Sequence, residues 1–508
     1  LLLLVCLPFS WSIADVVISG QQQEHYGRQL QQQQSCRVRH LRAQQPSEMI
    51  RSEGGTLELS TRQDNEQLDC AGVEFIRETI ERDGLSMPRF YNTPGLFYVV
   101  EGQGRLGVVF PGCPETFRRP PFGAGEVECQ RRRRESREGG RGEEEEEERG
   151  RSEEEERSRH EQECVREESS QKVRRVQRGD VVAVFAGAAF WWYNDGDKPL
   201  RLVAIADTSN YQNQLDRRHR QFYLAGSPAT RERRERLGEG RKLGGNMLAG
   251  FDPNTLAEAW GVERDTVRRI QENNQGRGLI VRVNQPRQQR RDHENPPISF
   301  WDSNVITGGE EEEERDGFNP SGLQQLICNM RLRHNADNQE DAEVFIRDGG
   351  RLNTVNRFKL NALTHINLAA ERGVLHPRAM FAPSWLASHA VMYVTRGDAR
   401  VQVVDNRGRR VFDGSIREGE FIVIPQFYSV VKRAGDQGFD WITFTTSHSP
   451  IRSSFVGKDS VLKAMPQEVV MAAYNISCGE AQDLRWNREY EFFILPPRRQ
   501  QFGGRGSA

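Results

Sequence analysis

Residues 391–430, VMYVTRGDARVQVVDNRGRRVFDGSIREGEFIVIPQFYSV, decide the fold of this chain. Apolar Ala399, Val401 and Val403 alternate with Arg400 and Gln402, the period-2 signature of strands with one buried face. Asn406-Arg407-Gly408 and Asp413-Gly414 are turn signals between such strands. Short strands at this spacing predict a β-sandwich or β-barrel.

The pattern occurs once earlier. Phe97-Tyr98-Val99-Val100-Glu101-Gly102 matches Met392-Tyr393-Val394-Thr395-Arg396-Gly397, and Gly179-Asp180-Val181-Val182-Ala183-Val184 matches Gly419-Glu420-Phe421-Ile422-Val423-Ile424. One β-domain is therefore used twice, and a chain of 508 residues has ample length for two cores.

A net charge of −2 argues against a strongly basic nucleic-acid binder. The balance is uneven along the chain: residues 322–508 carry 24 Lys and Arg against 19 Asp and Glu (+5), whereas residues 1–321 carry 47 against 54 (−7). Only 7 of the 71 cations are lysine and 35 residues are glutamine, so many polar positions go to nitrogen-rich side chains, a usage compatible with nitrogen storage. Residues 1–9, LLLLVCLPF, are too short and apolar a run for a membrane span and are read, with the small residues up to Gly20, as the core of a secretory signal peptide whose start is truncated. Of the eight cysteines, Cys6 lies in that leader. The other seven form no CxxC pair and have no flanking histidine pairs, so disulfides are expected in preference to zinc sites.

The expected organisation follows in order. Residues 1–20 are the signal peptide and 21–35 a glutamine-rich polar segment. Residues 36–209 form the first β-domain, interrupted at 131–172 by an Arg/Glu-rich insert that cannot bury apolar area and is expected to be disordered. That insert lacks the spaced ligands of a calcium loop. Residues 210–284 form a helical arm, with Asp252-Pro253 as its start signal, Leu256, Trp260, Val267 and Ile270 at helical intervals, and Gly261 as a break. Residues 285–325 are an acidic linker exposed to proteases. Residues 326–455 are the second β-domain, 456–490 a second arm with Val469, Ala473, Ile476, Ala481 and Leu484, and 491–508 a tail. The paired helices are not read as a DNA-binding helix-turn-helix, because both follow β-domains and neither has a clear basic face. Asn475-Ile476-Ser477 is a glycosylation sequon expected to be unmodified within that arm.

Residues 102–107, GQGRLG, match a dinucleotide fingerprint only in letters. Val108-Val109-Phe110 continue as a strand, so no helix N-terminus is available for a pyrophosphate. No Ser-His-Asp or Cys-His constellation emerges from spacing.

MIRSEGG (49–55), GVVFPGCPETF (107–117), ICNMRLRHN (327–335), RVQVVDNRGRRVFDG (400–414) and SVLKAMPQEVV (460–470) resemble the legumin-type (11S) seed storage globulins of the cupin superfamily, in family order from Cys36 to about Leu495. The resemblance implies a bicupin: two jelly-roll β-barrels in one chain, each followed by a helix-turn-helix arm. Cupin enzymes hold a metal with two histidines and a glutamate from one motif and a histidine from a second, a facial N/O ligand set with open positions. Aligned on Gly102, the glutamate position falls on Gly95 and the second histidine on Phe90 or Tyr91. From Gly179 the second motif reaches Phe185 and Phe190. In the other copy, Gly397 places Ala390 at the glutamate and Trp385 near a histidine, while Gly419 retains Pro425 and puts Val430 at the last histidine. The ligand set is degenerate in both barrels, no metal or other cofactor is expected, and His389, alone near a ligand position, is read as structural.

The resemblance also pairs Cys36 with Cys70, and Cys113 with Cys328 as the bridge between an acidic and a basic chain. Cys129 and Cys164 bracket most of the insert and form a possible extra disulfide. Cys478 has no evident partner. The family is cut at an Asn-Gly pair before the second bridging cysteine. Here Ser321-Gly322 stands at that place, with Asn319 before Pro320, so the cut, and the pairing of trimers into hexamers that it allows, stay open. The implied function is a nutrient reservoir that is not an enzyme: a homo- or hetero-trimer or hexamer with related subunits, carried through the secretory pathway to a seed protein storage vacuole and degraded there by proteases. Neither nucleic acid nor membrane is an expected partner. The alternatives are a metal-dependent cupin enzyme of oxalate-degrading or dioxygenase type and a small-ligand-binding cupin.

Overall fold

The computed structural model describes residues 36, 38–109, 173–227, 245–272, 278–283 and 330–497. The leader, the glutamine-rich segment, the insert 131–172 and the linker 285–325 lie outside the described residues. So do Cys113, Cys129, Cys164, Cys328, Asn319, Ser321 and Gly322.

The first unit lays down β1 (Glu48–Ser52), β2 (Gly55–Ser60), β3 (Val73–Ile80), β4 (Gly84–Tyr91), β5 (Gly95–Glu101) and β6 (Gln103–Val109). After the insert come β7 (Val173–Gln177), β8 (Asp180–Val184), β9 (Ala189–Tyr193), β10 (Leu200–Asp207), β11 (Gln221–Tyr223) and β12 (Ile280–Arg282). The second unit contributes β13 (Arg333–Asn335), β14 (Val344–Ile346), β15 (Gly350–Val355), β16 (Ala369–Leu375), β17 (Met380–Leu386), β18 (Ala390–Val404) and β19 (Arg410–Arg417). It ends with β20 (Phe421–Ile424), β21 (Ser429–Thr445), β22 (Arg452–Ser454) and β23 (Ile494–Leu495).

One sheet of the first unit runs β1-β2-β3-β10-β5-β8-β13, and the facing sheet runs β11-β4-β9-β6-β7, with β12 added to β4. The second unit is one continuous sheet around the long strands β18 and β21. Pairing is antiparallel throughout the named strands, as expected of jelly-roll barrels.

The internal repeat reaches the level of register. In the first unit Gly95, Leu96, Phe97 and Tyr98 pair with Val184, Ala183, Val182 and Val181. In the second, Ala390, Val391, Met392 and Tyr393 pair with Ile424, Val423, Ile422 and Phe421, the residues that the sequence repeat aligns with them. Gly102 and Gly397, the glycines that end the repeated strand, both adopt left-handed φ values of 84° and 74°. A Cβ there would lie 2.4 Å from the Pro199 carbonyl oxygen and 2.1 Å from that of Gly438, which excludes any side chain at either turn.

Alternation assigns each face. In β3, Val73 and Phe75 point toward the second unit, while Ile76, Glu78 and Ile80 point into the first barrel. Phe75 stacks on Phe421 with ring centroids 4.3 Å apart and on Tyr393 at 5.7 Å, so the barrels share a core. Each such fully buried aromatic contributes on the order of 1.5–3 kcal/mol.

Several boundaries differ from the sequence expectation, because edge strands take whatever segment satisfies their open hydrogen bonds. Arg333–Asn335, counted with the second domain, extends the first unit's sheet by pairing with β8. Val38 and Leu41, counted with the first, pack in the second barrel's core, and the Leu41 amide donates to the Val411 carbonyl at 2.9 Å. Phe222 and Ile280 of the first arm, and Ile494 of the tail, return to barrel strands.

The short α1 (Glu66–Ala71) is capped by Asn65, whose side chain accepts from the Gln67 and Leu68 amides. The first arm forms α2 (Pro253–Trp260) and α3 (Arg264–Glu272), with Asp252 as N-cap and Gly261, at φ 63°, as C-cap. The second unit holds α4 (Ala362–Ile366) and the arm helices α5 (Val461–Ala464), α6 (Gln467–Tyr474) and α7 (Cys478–Trp486). Leu256, Val267, Val470 and Ala481 face inward, whereas Trp260, Val262, Ile270, Met465, Val469, Leu484 and Trp486 remain exposed.

Candidate functional site: the two barrel centres

In a cupin the chemistry, where there is any, sits inside the barrel, among the aligned ligand positions. In the first barrel, alternation along β4 turns Arg89 and Tyr91 inward and Phe90 away, where it stacks on Phe222 at 4.9 Å. The histidine position is therefore Tyr91 rather than Phe90. Phe190 of β9 meets Tyr91 edge-on at 4.9 Å, and Gly95 of β5 offers no side chain.

What fills this centre is an ion pair. Arg89 and Glu78 are almost completely buried, with the guanidinium 2.6 Å from the Glu78 carboxylate. Arg89 also donates to Ser86 Oγ and, at 3.1 Å, to the Tyr91 hydroxyl, and Ser86 donates to Glu78. The guanidinium carbon lies 5.1 Å from the Phe190 ring centroid. Burial, the largest single effect, opposes the charge on Arg89, but the Glu78 carboxylate together with the Tyr91 and Tyr223 hydroxyls outweighs it and raises the pKa above the ordinary arginine value. The neighbouring His219, edge-on to Tyr91 at 4.3 Å, is pushed down to about 3 by burial and then by the Arg89 charge, and so is neutral. A fixed cation and a packed aromatic stand where a metal would need open, electron-donating ligands.

In the second barrel the same register turns Ser384 and Leu386 inward and Trp385 away onto Phe455, at 5.0 Å. The histidine positions are thus Ser384 and Leu386, not Trp385. Leu386, Ala390 and Val430 line a cavity of about 10 Å³ with Glu371, Ser388, Lys432 and Arg452. Arg452 pairs with Glu371 and donates to Ser384 Oγ at 3.1 Å. Ala390 is aimed into this cavity, but His389 does not line it. Its Nδ1 accepts from the Gln426 amide at 3.2 Å, and burial pushes its pKa down to about 4, in keeping with a structural, neutral imidazole.

Among the described residues no group of three His, Cys, Asp or Glu side chains is placed to hold a metal. Cys36 and Cys70 form a disulfide that ties the chain entering the fold to α1. Cys478 is exposed and has no disulfide partner among the described residues. Asn475, the sequon asparagine, is exposed at the C-cap of α6 with φ 52°, and Ser477 of the same sequon is engaged in a capping box with Glu480. The sequence reading missed Glu78, Arg89, Glu371, Lys432 and Arg452. Stepping back by two from Tyr91 along an alternating strand leads to Arg89, which was the available signal.

Two barrels in one chain, repeated at identical register and each with its ligand positions substituted, define a bicupin without a retained ligand set. The cupin family model matches residues 41–230 and 334–482. The chain is 37% identical to the 11S globulin seed storage protein 2 of Sesamum indicum, covering 94% of each chain, and 38% identical to Cocosin 1 of Cocos nucifera, covering 93% of this chain and 91% of the relative. Its structure is similar to that of the coconut allergen cocosin (35% identity, TM-score 0.69) and of a pumpkin seed globulin (34%, TM-score 0.70). Both comparisons span 91% of this chain and all of the other. The chain belongs to the cupin family and, within it, to the 11S seed storage globulins. These relatives are storage proteins, which bears out the non-enzymatic reading and favours neither alternative.

Proposed function

We propose that the protein is a nutrient reservoir that stores nitrogen and amino acids as a compact, disulfide-linked oligomer for use at germination. The observation that carries this reading is the substitution of the ligand positions in both barrels, the first centre closed by an ion pair and the second reduced to a cavity of about 10 Å³: a store needs cores that resist unfolding, not open ligand positions. A trimer assembled through the arms would cover Trp260, Val262, Ile270, Val469, Leu484 and Trp486, whose exposure supports self-association. A Cys113–Cys328 bridge and a cut near Asn319, Ser321 and Gly322 belong to the same proposal, as do the storage-vacuole destination and the attack of proteases on the linker.

Protein from its native tissue, run on denaturing gels with and without reductant, tests it. Two smaller chains appearing only on reduction mean a cut precursor held by Cys113–Cys328, and a hexamer. One full-length band in both lanes means an uncut chain and a trimer. Persistence of the protein undiminished through germination would overturn the reservoir reading.

A further inference from the structure

The two barrels are closed differently, and the second keeps a polar void. By the repeat, Lys432 stands where the first barrel has Trp192, since Val430 and Phe190 are the aligned pair two residues before each. Lys432 is 3% exposed, and its ammonium lies 4.1 Å from the Trp441 ring centroid and 4.5 Å from that of Phe381. The nearest carboxylate that acts on it, Glu371, is committed to Arg452, and among the described residues Lys432 enters no ion pair. Two further donors are orphaned among the described residues: Arg452 Nε and Ser388 Oγ are buried without a hydrogen-bond partner. Lys432, Arg452 and Ser388 all line the cavity of about 10 Å³, with Tyr428 and Thr443 completing its polar wall.

With Lys432 protonated, the charges facing this space are two cations and one carboxylate, a surplus of one positive charge. A buried charge without a counter-ion is costly, and donors without acceptors add to that cost. The volume, about 10 Å³, is that of a single small sphere, which suits a monatomic anion and not a carboxylate or phosphate. We propose that the centre of the second barrel is a halide site that holds one chloride ion, with Lys432 as its charge partner and Arg452 Nε and Ser388 Oγ as hydrogen-bond donors.

Proton linkage follows from the same geometry. Burial, and then the Arg452 charge, push Lys432 down to about 7 against the opposing pull of Glu371. Phe381 and Trp441, the other side chains against the ammonium, are not titratable in this range. A bound anion favours the charged amine, so halide binding takes up a proton and weakens as pH rises above about 7.

The test uses the full chain. Crystals grown in bromide are expected to show one anomalous peak between Lys432, Arg452 and Ser388. At constant ionic strength and pH below 7, exchanging gluconate for chloride is expected to raise the melting temperature. Above saturation each tenfold rise in chloride should increase the folded-to-unfolded ratio about tenfold. Lys432→Met keeps an apolar stem in place and should abolish both signals; Ser388→Ala, a milder change, should weaken halide dependence if the first variant fails to fold. The absence of a bromide peak, equal melting temperatures in chloride and gluconate, or a peak that survives in Lys432→Met overturns the proposal.

Discussion

Replacing Arg89 by methionine isolates the ion pair that closes the first barrel. Methionine keeps roughly the length and apolar body of the side chain but removes the guanidinium. The loss strips Glu78 of its 2.6 Å partner, and removes donors to Ser86 and Tyr91, in a site where Arg89 and Glu78 are at most 1% exposed. Leaving one member of a buried pair uncompensated costs roughly 3–5 kcal/mol. At about 2–4 °C per kcal/mol for a unit of this size, the melting temperature should fall by roughly 6–20 °C. The single Glu78→Leu change should cost a similar amount, whereas the double variant, which removes both charges, should recover most of the loss. A thermal-unfolding double-mutant cycle reads the coupling directly. In Arg89→Met the deficit should also shrink on acidification, because an unpaired buried carboxylate escapes its cost by protonating. A single variant within about 1 kcal/mol of the wild type, or a double variant no better than either single one, would refute the claim that this pair is a desolvated, mutually dependent unit.

Two further tests concern the junction between barrels and the entry of the chain. Burial raises Glu74 to about 7 and Asp207 to about 6, so each loses stability as pH rises from its unfolded value to its folded one; burial lowers His219 to about 3 and His389 to about 4, and these gain stability as pH rises toward 6.5. The opposed slopes of these four groups largely cancel between about pH 4.5 and 6, and Glu74→Gln with Asp207→Asn should steepen the histidine slope, visible as a melting temperature that falls more sharply on acidification than in the wild type. Converting Cys36 and Cys70 to serine removes a link across a sequence separation of 34 and should cost roughly 4 kcal/mol on the chain-entropy account; faster hydrogen exchange at Leu41 and Gln44, which bond to the second barrel, would localise the effect, and unchanged exchange there would count against it.

The repeated strand was legible because its pattern is local. Gly102, Gly397, Gly179 and Gly419 mark turns, and the alternation between them fixes which residues share a face. Which residues fill a barrel is harder to read, since it depends on which strands face each other across it. Alternation can pair Arg89 with Tyr91, yet Glu78, on the preceding strand, is seen to meet them only once β3 and β4 are known to lie in facing sheets. Spacing left the choice between Phe90 and Tyr91 open, and placed Trp385 only near a histidine position, for a simpler reason. The motif spacing tolerates one residue, and one residue is the difference between the two faces of a strand. Arg333–Asn335 escaped because an edge strand of three residues carries too little pattern to name its partner sheet.

The two centres show how a metal-binding fold gives up its metal without giving up its core. In the first barrel the ligand positions hold Tyr91 and Phe190 beside Gly95, and a guanidinium enters with its own carboxylate, so that charge and volume are closed internally. In the second barrel those positions are serine, leucine, alanine and valine, which contribute less volume, and the arginine arrives from β22 rather than from the motif strand. Its guanidinium satisfies Glu371 but leaves Lys432 without a counter-ion, beside a space that neither side chain fills. Replacing ligands one by one therefore does not by itself erase a site: the volume and the charge must be closed together. In the first barrel they are. In the second, only the volume comes near to closing, and the residual positive charge is what makes a bound anion the physically economical completion of the core.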